Sequence, residues 1–166
     1  DVTLHMYNVS SKNNKKIALG DYEYIPRIKW TNDANILMAT TLNRHQNNLK
    51  LHTVNALRSS STLVFNETDK AYIDITDNLT FLNDNSFIWT SEKDGYNHIY
   101  HYDFSGKLIN QITKGNWEVT KYYGFNEPKK MIYYQSVENG STNRGVYSVG
   151  LDGQNKKLLS NKDGQN

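Results

Sequence analysis

Histidine performs most acid–base catalysis and much zinc binding near neutral pH, and this sequence contains five histidines. A metal site needs two or more of them at one point, with supporting partners behind them, and no His-x-x-x-His spacing occurs. Four of the histidines lie on predicted strands or their turns: His5, His52, His98 and His101. Because His5 and His52 share one position of a repeat in which other copies carry tyrosine, we predict structural roles. We expect no metal site and no other cofactor.

Carboxylates and nucleophiles are the next groups that could do chemistry. Asp84, Asp94, Asp103 and Asp152 fall at predicted turns, where an aspartate side chain accepts hydrogen bonds from backbone amides. No closely spaced acidic loop of the calcium-binding kind is present. The chain has no cysteine, and it has no Gly-x-Ser-x-Gly, the turn that presents the serine of an α/β-hydrolase. We therefore predict that these aspartates stabilise turns by accepting hydrogen bonds, and we predict no catalytic residue in this chain.

Three tryptophans could form a platform for a carbohydrate or a peptide. Trp30 and Trp89 each end a predicted strand, so we expect them to pack between repeats, and we expect Trp117 to cover a junction between two repeats. The net charge of +2 is too small to indicate a nucleic-acid partner. No segment reaches the roughly 18 apolar residues that a membrane-spanning helix needs.

The elements that position these side chains are strands. The stretch Trp89–Thr113 contains the turn signals Asp94-Gly95 and Ser105-Gly106, each flanked by aromatic and β-branched residues, which predicts three antiparallel strands. Glycine, asparagine, serine and threonine are frequent and long runs of helical period are absent, so the composition favours an all-β fold.

Similar six-residue strand segments begin at residues 4, 51, 99 and 146, which are 47, 48 and 47 residues apart. Each copy precedes a polar turn and a short strand, and every complete period holds four strands. A period of about 40–50 residues with four strands per unit is typical of a β-propeller blade. A β-sandwich, the alternative fold, does not require this regular spacing.

The repeat predicts a partial β-propeller of about three and a half four-stranded antiparallel blades. The predicted segments are an outer half-blade at 1–20, blades at 21–68, 69–114 and 115–160, and a polar tail at 161–166. Within the half-blade we predict a polar turn at 10–14 and a short strand at 16–20. In the next blade, the continuous apolar run 36–41 predicts a strand buried on both faces. A propeller has at least four blades, so this arc is expected to come from a larger ring. Its open strand edges predict either a homo-oligomer or partner strands from another chain.

Two runs indicate a family. Residues 90–100, which read TSEKDGYNHIY, and residues 112–119, which read ITKGNWEV, resemble the N-terminal propeller of dipeptidyl peptidase IV-type serine peptidases of the prolyl oligopeptidase clan. Residues 24–30 and 42–47 are similar to the bacterial members of Bacteroidetes type. This resemblance implies an eight-bladed propeller joined to a C-terminal α/β-hydrolase domain, in a periplasmic, secreted or cell-surface enzyme. It also implies removal of N-terminal dipeptides with Pro or Ala second, by a Ser-Asp-His triad, while paired propeller glutamates hold the peptide's amine.

Most of that apparatus is missing from this sequence, since no two glutamates are adjacent. Family members with an arginine-bearing loop before the strand equivalent to Leu79–Leu82 use it near the substrate, but the corresponding loop here, 71–77, has no arginine. Tyr72 and Asp74 of this loop are the candidates for facing the peptide-binding cavity. Two functions stay open: a non-catalytic propeller segment that gates and positions peptides for a hydrolase domain elsewhere, and a stand-alone propeller that serves as a protein-interaction scaffold.

Overall fold

The computed structural model describes residues 2–160, in which it places fourteen β-strands and no helix. All paired strands are antiparallel, and they form one two-stranded sheet and three four-stranded sheets. The chain divides into two compact units, Asp1–Asp77 and Asn78–Asn166. The all-β prediction is therefore confirmed. The predicted tail at 161–166 lies outside the described residues.

The first unit contains the two-stranded sheet, β1 and β2, and a four-stranded sheet in the order β3-β4-β5-β6. Its strands are β1 (His5–Asn8), β2 (Asn13–Lys16), β3 (Tyr24–Trp30), β4 (Ile36–Leu42), β5 (Asn48–Asn55) and β6 (Ser60–Thr68). The apolar run of β4 is almost fully buried, as a strand covered on both faces should be. One core cluster of this unit comprises Ile17, Leu19, Leu37, Ala39 and Val54.

The second unit contains two four-stranded sheets, in the orders β7-β8-β9-β10 and β11-β12-β13-β14. Their strands are β7 (Thr80–Phe81), β8 (Phe87–Ser91), β9 (His98–Tyr102), β10 (Leu108–Gln111), β11 (Val119–Asn126), β12 (Met131–Ser136), β13 (Gly145–Gly150) and β14 (Lys157–Leu158). Every residue of β8 and β9 is buried. The core of the unit includes Leu82, Ile99, Ile132 and Tyr134.

The stretch Trp89–Thr113 contributes the end of β8 and all of β9 and β10, three neighbouring strands as predicted. Its two turns contain Gly95 at φ 98° and Gly106 at φ 88°. In that left-handed region glycine avoids the Cβ clash that other residues meet. These φ angles confirm the two predicted turns, which lie on either side of β9 and its buried aromatic residues.

The predicted position of the second strand is wrong. We predicted a turn at 10–14 and a strand at 16–20, whereas β2 covers Asn13–Lys16 and pairs residue by residue with β1. All four side chains of β2 are exposed, so no apolar alternation marks it. The apolar residues Ile17 and Leu19 follow the strand and enter the core from irregular backbone.

Candidate functional site

The loop that carries the predicted site residues leaves β6 and runs through residues 69–77. Tyr72 is 60% exposed, and Asp74 is exposed as well. The structure thus leaves both candidates accessible to a ligand. It gives neither a side-chain hydrogen bond to another described residue.

Backbone hydrogen bonds hold the first half of this loop. The amide of Asp69 donates to the Asn47 carbonyl at 3.0 Å, and the amide of Ile73 donates to the Gln46 carbonyl at 2.8 Å. The amide of Ala71 donates to the Asp69 carboxylate at 2.7 Å. Tyr72 therefore sits between two fixed backbone positions although its side chain is exposed.

The second half of the loop is held by an arginine from a different strand. Arg27 Nε, on β3, donates to Asp77 Oδ1 at 2.5 Å, and Arg27 Nη1 donates to the Pro26 carbonyl at 2.8 Å. Both partners of this ion pair are largely exposed, so its stabilisation of the fold is small. Sequence reasoning noted that the loop has no arginine and missed Arg27, because a contact between residues fifty positions apart leaves no local signal.

The two runs that carry the family resemblance meet at His98. Its Nε2 lies 3.0 Å from the Gly115 carbonyl, and its Nδ1 lies 3.1 Å from Thr113 Oγ1. A carbonyl oxygen only accepts, so Nε2 carries the hydrogen and Nδ1 accepts from the Thr113 hydroxyl. The same hydroxyl accepts the amide hydrogen of Ile99 at 2.9 Å. His98 is fully buried, and both of its ring nitrogens are bound within the fold.

Asn97 adds a second connection between the two runs. Its side-chain amide donates to the Val119 carbonyl at 2.7 Å, and its own carbonyl accepts the Val119 amide at 2.8 Å. Both backbone groups of Val119, the first residue of β11, are thereby bound to the turn before β9. The end of one sheet and the start of the next are fixed to each other at this point.

Trp117 packs over that junction, as we predicted. Its ring stands edge-on to His98, with centroids 5.0 Å apart and an interplanar angle of 85°, and it stacks on Tyr134 at 6.5 Å and 8°. Gly115 lies beneath the indole, where a Cβ atom would be 2.2 Å from Trp117 Nε1. Trp89 is buried as expected, whereas Trp30 is 52% exposed and lines a cavity together with Met6 and Tyr7 of the preceding repeat.

An aromatic column continues from Trp117 through Tyr134 to Tyr147, whose rings stack at 5.5 Å. Glu138 accepts hydrogen bonds from Tyr134 and Ser136 and forms an ion pair with Lys156. Lys156 Nζ lies 5.7 Å from the ring centroids of both Trp117 and Tyr147. Burial, followed by the Glu138 charge, raises the pKa of the Tyr134 hydroxyl. We interpret this cluster as packing that a neutral Tyr134 supports, because the Tyr134 and Tyr147 hydroxyls, the Glu138 carboxylate and the Lys156 ammonium all have partners within the fold.

Two further histidines are buried inside the sheets. His52 Nε2 lies 3.2 Å from Thr41 Oγ1, and His101 Nε2 lies 2.8 Å from Ser86 Oγ, which in turn donates to Asp84 Oδ1 at 2.5 Å. Burial lowers the pKa of His52, with a smaller contribution from Lys50, and burial also lowers the pKa of His101 against the opposing Asp84 charge. Both rings are therefore uncharged structural groups at neutral pH.

Most of the turn aspartates act as predicted. Oδ1 of Asp84 accepts the amide of Ser86, that of Asp103 accepts the amides of Ser105 and Lys107, and that of Asp152 accepts the amide of Gln154. The Ser86 hydrogen bond lowers the pKa of Asp84. Asp94 differs, since its Oδ2 accepts from the Gln111 side chain at 2.6 Å. Within residues 2–160, no three His, Asp or Glu side chains are grouped closely enough to hold a metal ion.

Comparison with known proteins identifies the family of this chain. The family model of the dipeptidyl peptidase IV (DPP IV) N-terminal region matches residues 1–166. This chain belongs to that family. The resemblance drawn from residues 90–100 and 112–119 is therefore confirmed. These are the two segments that hydrogen bonds of His98 and Asn97 connect.

Solved and curated relatives agree with this assignment. The chain is 38% identical to Porphyromonas gingivalis dipeptidyl peptidase 4, with a TM-score of 0.89 over 98% of this chain and 24% of that one. A putative dipeptidyl aminopeptidase IV of Bacteroides ovatus is 26% identical, with a TM-score of 0.75 over 93% of this chain and 25% of that one. Probable dipeptidyl peptidase 4 of Aspergillus flavus is 28% identical over 162 residues. These matches confirm the partial-propeller fold class and the likeness to Bacteroidetes members.

The matched relatives are much longer than this chain. It spans 21% of the Aspergillus protein and about a quarter of the two bacterial chains. None of the described segments forms a helix long and apolar enough to cross a membrane.

Proposed function

We propose that this chain is a non-catalytic propeller segment of a serine dipeptidyl peptidase that removes N-terminal X-Pro and X-Ala dipeptides. In this proposal the segment gates and positions the peptide substrate for an α/β-hydrolase domain of the same parent protein. The observation that carries it is the family match over residues 1–166, together with relatives named dipeptidyl peptidase 4. The sequence has no Gly-x-Ser-x-Gly, which is why we assign the chemistry to another part of the parent.

The blade boundaries belong to the same proposal. Each predicted blade, 21–68, 69–114 and 115–160, contains one four-stranded sheet, and the predicted half-blade at 1–20 contains β1 and β2. The order β3-β4-β5-β6 and its two counterparts are the sequential order of strands in a propeller blade. We also propose a periplasmic, secreted or cell-surface location, which rests on the family alone.

The loop 69–77 is the part of this chain that we propose to face the peptide. Tyr72 and Asp74 are exposed, and the backbone on both sides of Tyr72 is held. An aromatic ring on a fixed backbone gives contact area at a small cost in conformational entropy. An exposed carboxylate can pair with a peptide's ammonium or another cationic group.

Activity measurements test the assignment. On a Gly-Pro chromogenic substrate we expect turnover by the longer parent protein and none by this chain alone, and turnover by this chain would overturn the proposal. In the parent, Tyr72→Ala and Asp74→Ala should raise KM while kcat stays nearly constant, with Tyr96→Ala as an exposed tyrosine control. Unchanged KM in both variants would remove the loop from the substrate site.

The alternative function is a stand-alone propeller used as a protein-interaction scaffold, and one feature of the first unit favours it. Trp30, Tyr7 and Leu57 are each more than half exposed and line one cavity of about 420 Å³. Exposed apolar surface of this kind marks interaction sites. A reading frame that encodes no downstream Gly-x-Ser-x-Gly, Asp and His would support the scaffold over the peptidase.

The same exposed surface, with the β1 edge that β2 leaves open, supports a proposed homo-oligomer. Light scattering on the purified chain distinguishes the states. We expect a mass above that of the monomer, and a monodisperse monomer would contradict the proposal.

A further inference from the structure

A second cavity, of about 580 Å³, lies within the unit Asn78–Asn166. One side of it is formed by β9 and β10 through His101 and Ile109. The other side is formed by the β11–β12 turn and the β13–β14 turn, which contribute Met131 and Leu151 among others. The function proposed above uses none of these residues. The volume falls in the range of small-ligand pockets.

Hydrogen bonds hold the walls of this cavity in place. The amide of Leu151 donates to the Lys130 carbonyl at 2.9 Å, and the carbonyl of Leu151 accepts from the Asn110 side chain at 3.1 Å. The following turn lies directly on the neighbouring sheet, since a Cβ atom on Gly153 would be 3.2 Å from the Ile112 carbonyl. The cavity is therefore formed before any ligand arrives, which lowers the entropic cost of binding.

The interior of the cavity is mainly apolar. Ile109 is 53% exposed, and Met131 and Leu151 are half-buried, so each offers hydrocarbon surface that a ligand can cover. The buried His101 is held by Ser86, and burial keeps its ring uncharged. An apolar side chain of a ligand is the group that this surface accommodates.

The rim carries one uncompensated charge of each sign. Lys130 forms an ion pair with Glu127, whereas neither Lys129 nor Asp152 forms an ion pair with any of residues 2–160. Asp152 uses Oδ1 to accept the Gln154 amide at 2.9 Å, which leaves Oδ2 for another donor. Both residues line the cavity, and they lie on different turns.

From this arrangement we propose that the cavity binds a short zwitterionic peptide with an apolar side chain. The peptide's carboxylate pairs with Lys129, its ammonium pairs with Asp152, and its side chain covers Ile109, Met131 and Leu151. A fatty acid or other apolar anion matches only Lys129 and leaves Asp152 opposed to a negative ligand. The proposal is independent of peptide hydrolysis.

Titration of the isotope-labelled full chain by NMR tests the site without any substitution. The probes are Leu-Leu, its N-acetyl form, its C-terminal amide and the doubly blocked form. We expect Leu-Leu to shift the amide signals of Leu151 and Gly153 saturably in the millimolar range. Blocking either end should weaken binding about threefold to fivefold, the size of an exposed ion pair. No saturable shift of these signals, or equal affinity for all four probes, would overturn the proposal.

Two variants test which residue binds each end of the peptide. Lys129→Met should abolish the preference for a free carboxylate, and Asp152→Asn should abolish the preference for a free amine while keeping an acceptor for the Gln154 amide. The matched controls are Lys107→Met, an exposed turn lysine, and Asp33→Asn, where the aspartate also accepts an amide two residues on. If the variants keep the preferences of the original chain, the charge assignment is wrong. Because binding is measured without turnover, failure here is distinguishable from failure of the peptidase assignment.

Discussion

Two connections in this chain lead from the edge strand of one four-stranded sheet to the first strand of the next, and they are held in different ways. The connection after β6, residues 69–77, is exposed and is fixed by backbone hydrogen bonds and the surface ion pair of Arg27 with Asp77. The connection after β10, residues 112–118, is fixed by the buried side chain of His98 and covered by Trp117.

The two connections differ in how far they depend on particular side chains. Two of the contacts that hold the 69–77 loop are hydrogen bonds between backbone groups, which nearly any sequence can form. The bonds of His98 to Thr113 and Gly115 require particular residues. The recognisable run therefore lies where packing is tight, and the candidate ligand contacts lie where packing is loose.

The largest expected effect comes from Gly115→Ala, which tests the tight connection. Gly115 has φ 143°, and the new Cβ would meet Trp117 Nε1 at 2.2 Å. We expect a loss of about 3 kcal/mol in the free energy of unfolding, measured by chemical denaturation. Gly140→Ala is the control, because Gly140 also has a positive φ, of 113°, but its nearest neighbouring atom is 3.9 Å from the new Cβ. Equal losses in the two variants would show that the indole contact is unimportant.

Removing the Trp117 indole should have the next largest effect on stability. Trp117→Ala deletes the stack on Tyr134 and the edge contact with His98. Because Trp117 is only partly buried, we expect about 2 kcal/mol and a lower melting temperature. Tyr72→Ala is the control in the exposed 69–77 connection, and it should leave the melting temperature equal to that of the original chain within experimental error. An unchanged value for Trp117→Ala would contradict the proposed role of the indole.

Acid should weaken both units through their buried histidines. The pKa of His52 in the first unit and that of His101 in the second are lowered by burial. As the pH falls below the ordinary value of about 6.5, the unfolded chain takes up protons that the folded chain excludes, so stability falls. Each histidine contributes at most about 1.4 kcal/mol per pH unit.

The measurement is the free energy of unfolding between pH 7.5 and 5.5. His52→Gln and His101→Gln should each flatten this dependence, and His45→Gln, in an exposed loop, serves as the control. A dependence that neither substitution alters would assign the acid sensitivity to other groups.

The smallest effect on stability is expected from the loose connection. Arg27→Ala removes an exposed ion pair and should cost less than about 1 kcal/mol. Hydrogen exchange should nevertheless speed up at residues 73–77, and high salt should reproduce the change in the original chain. Exchange at residues 113–119 should not respond. Faster exchange in both connections would mean that they are not held independently.

The sequence was sufficient for strands that a local pattern marks. The apolar run of β4 and the glycine turns around β9 predicted where these strands lie, because burial and turn geometry leave local signals in the sequence. β2 was missed because all its residues are polar and exposed. Trp30 was expected to pack between repeats because it ends a strand, and the structure leaves half of it exposed.

The contacts of the candidate site were harder to predict. The loop 71–77 was singled out by its position before Leu79–Leu82 in the family resemblance, while the arginine that pairs with it comes from a strand fifty residues earlier. His98 was expected to be structural, but its partners depend on how β9 and β10 bring Thr113 and Gly115 beside it. Contacts of this kind arise from topology, and a single sequence does not display them.

The double hydrogen bond between Asn97 and Val119 has a consequence for the length of the chain between them. Because Val119 is fixed at both backbone groups, β11 cannot absorb an extra residue by sliding. An insertion between Thr113 and Val119 would therefore have to be accommodated within the connection itself, where it would displace Gly115 or Trp117 from His98. If it instead broke the clamp and shifted β11 by one residue, Tyr122 would turn away from the interior. The hydroxyl of Tyr122 donates to Thr80, and burial raises its pKa to about 12. Insertions should therefore cost less stability in the 69–77 loop than in this connection.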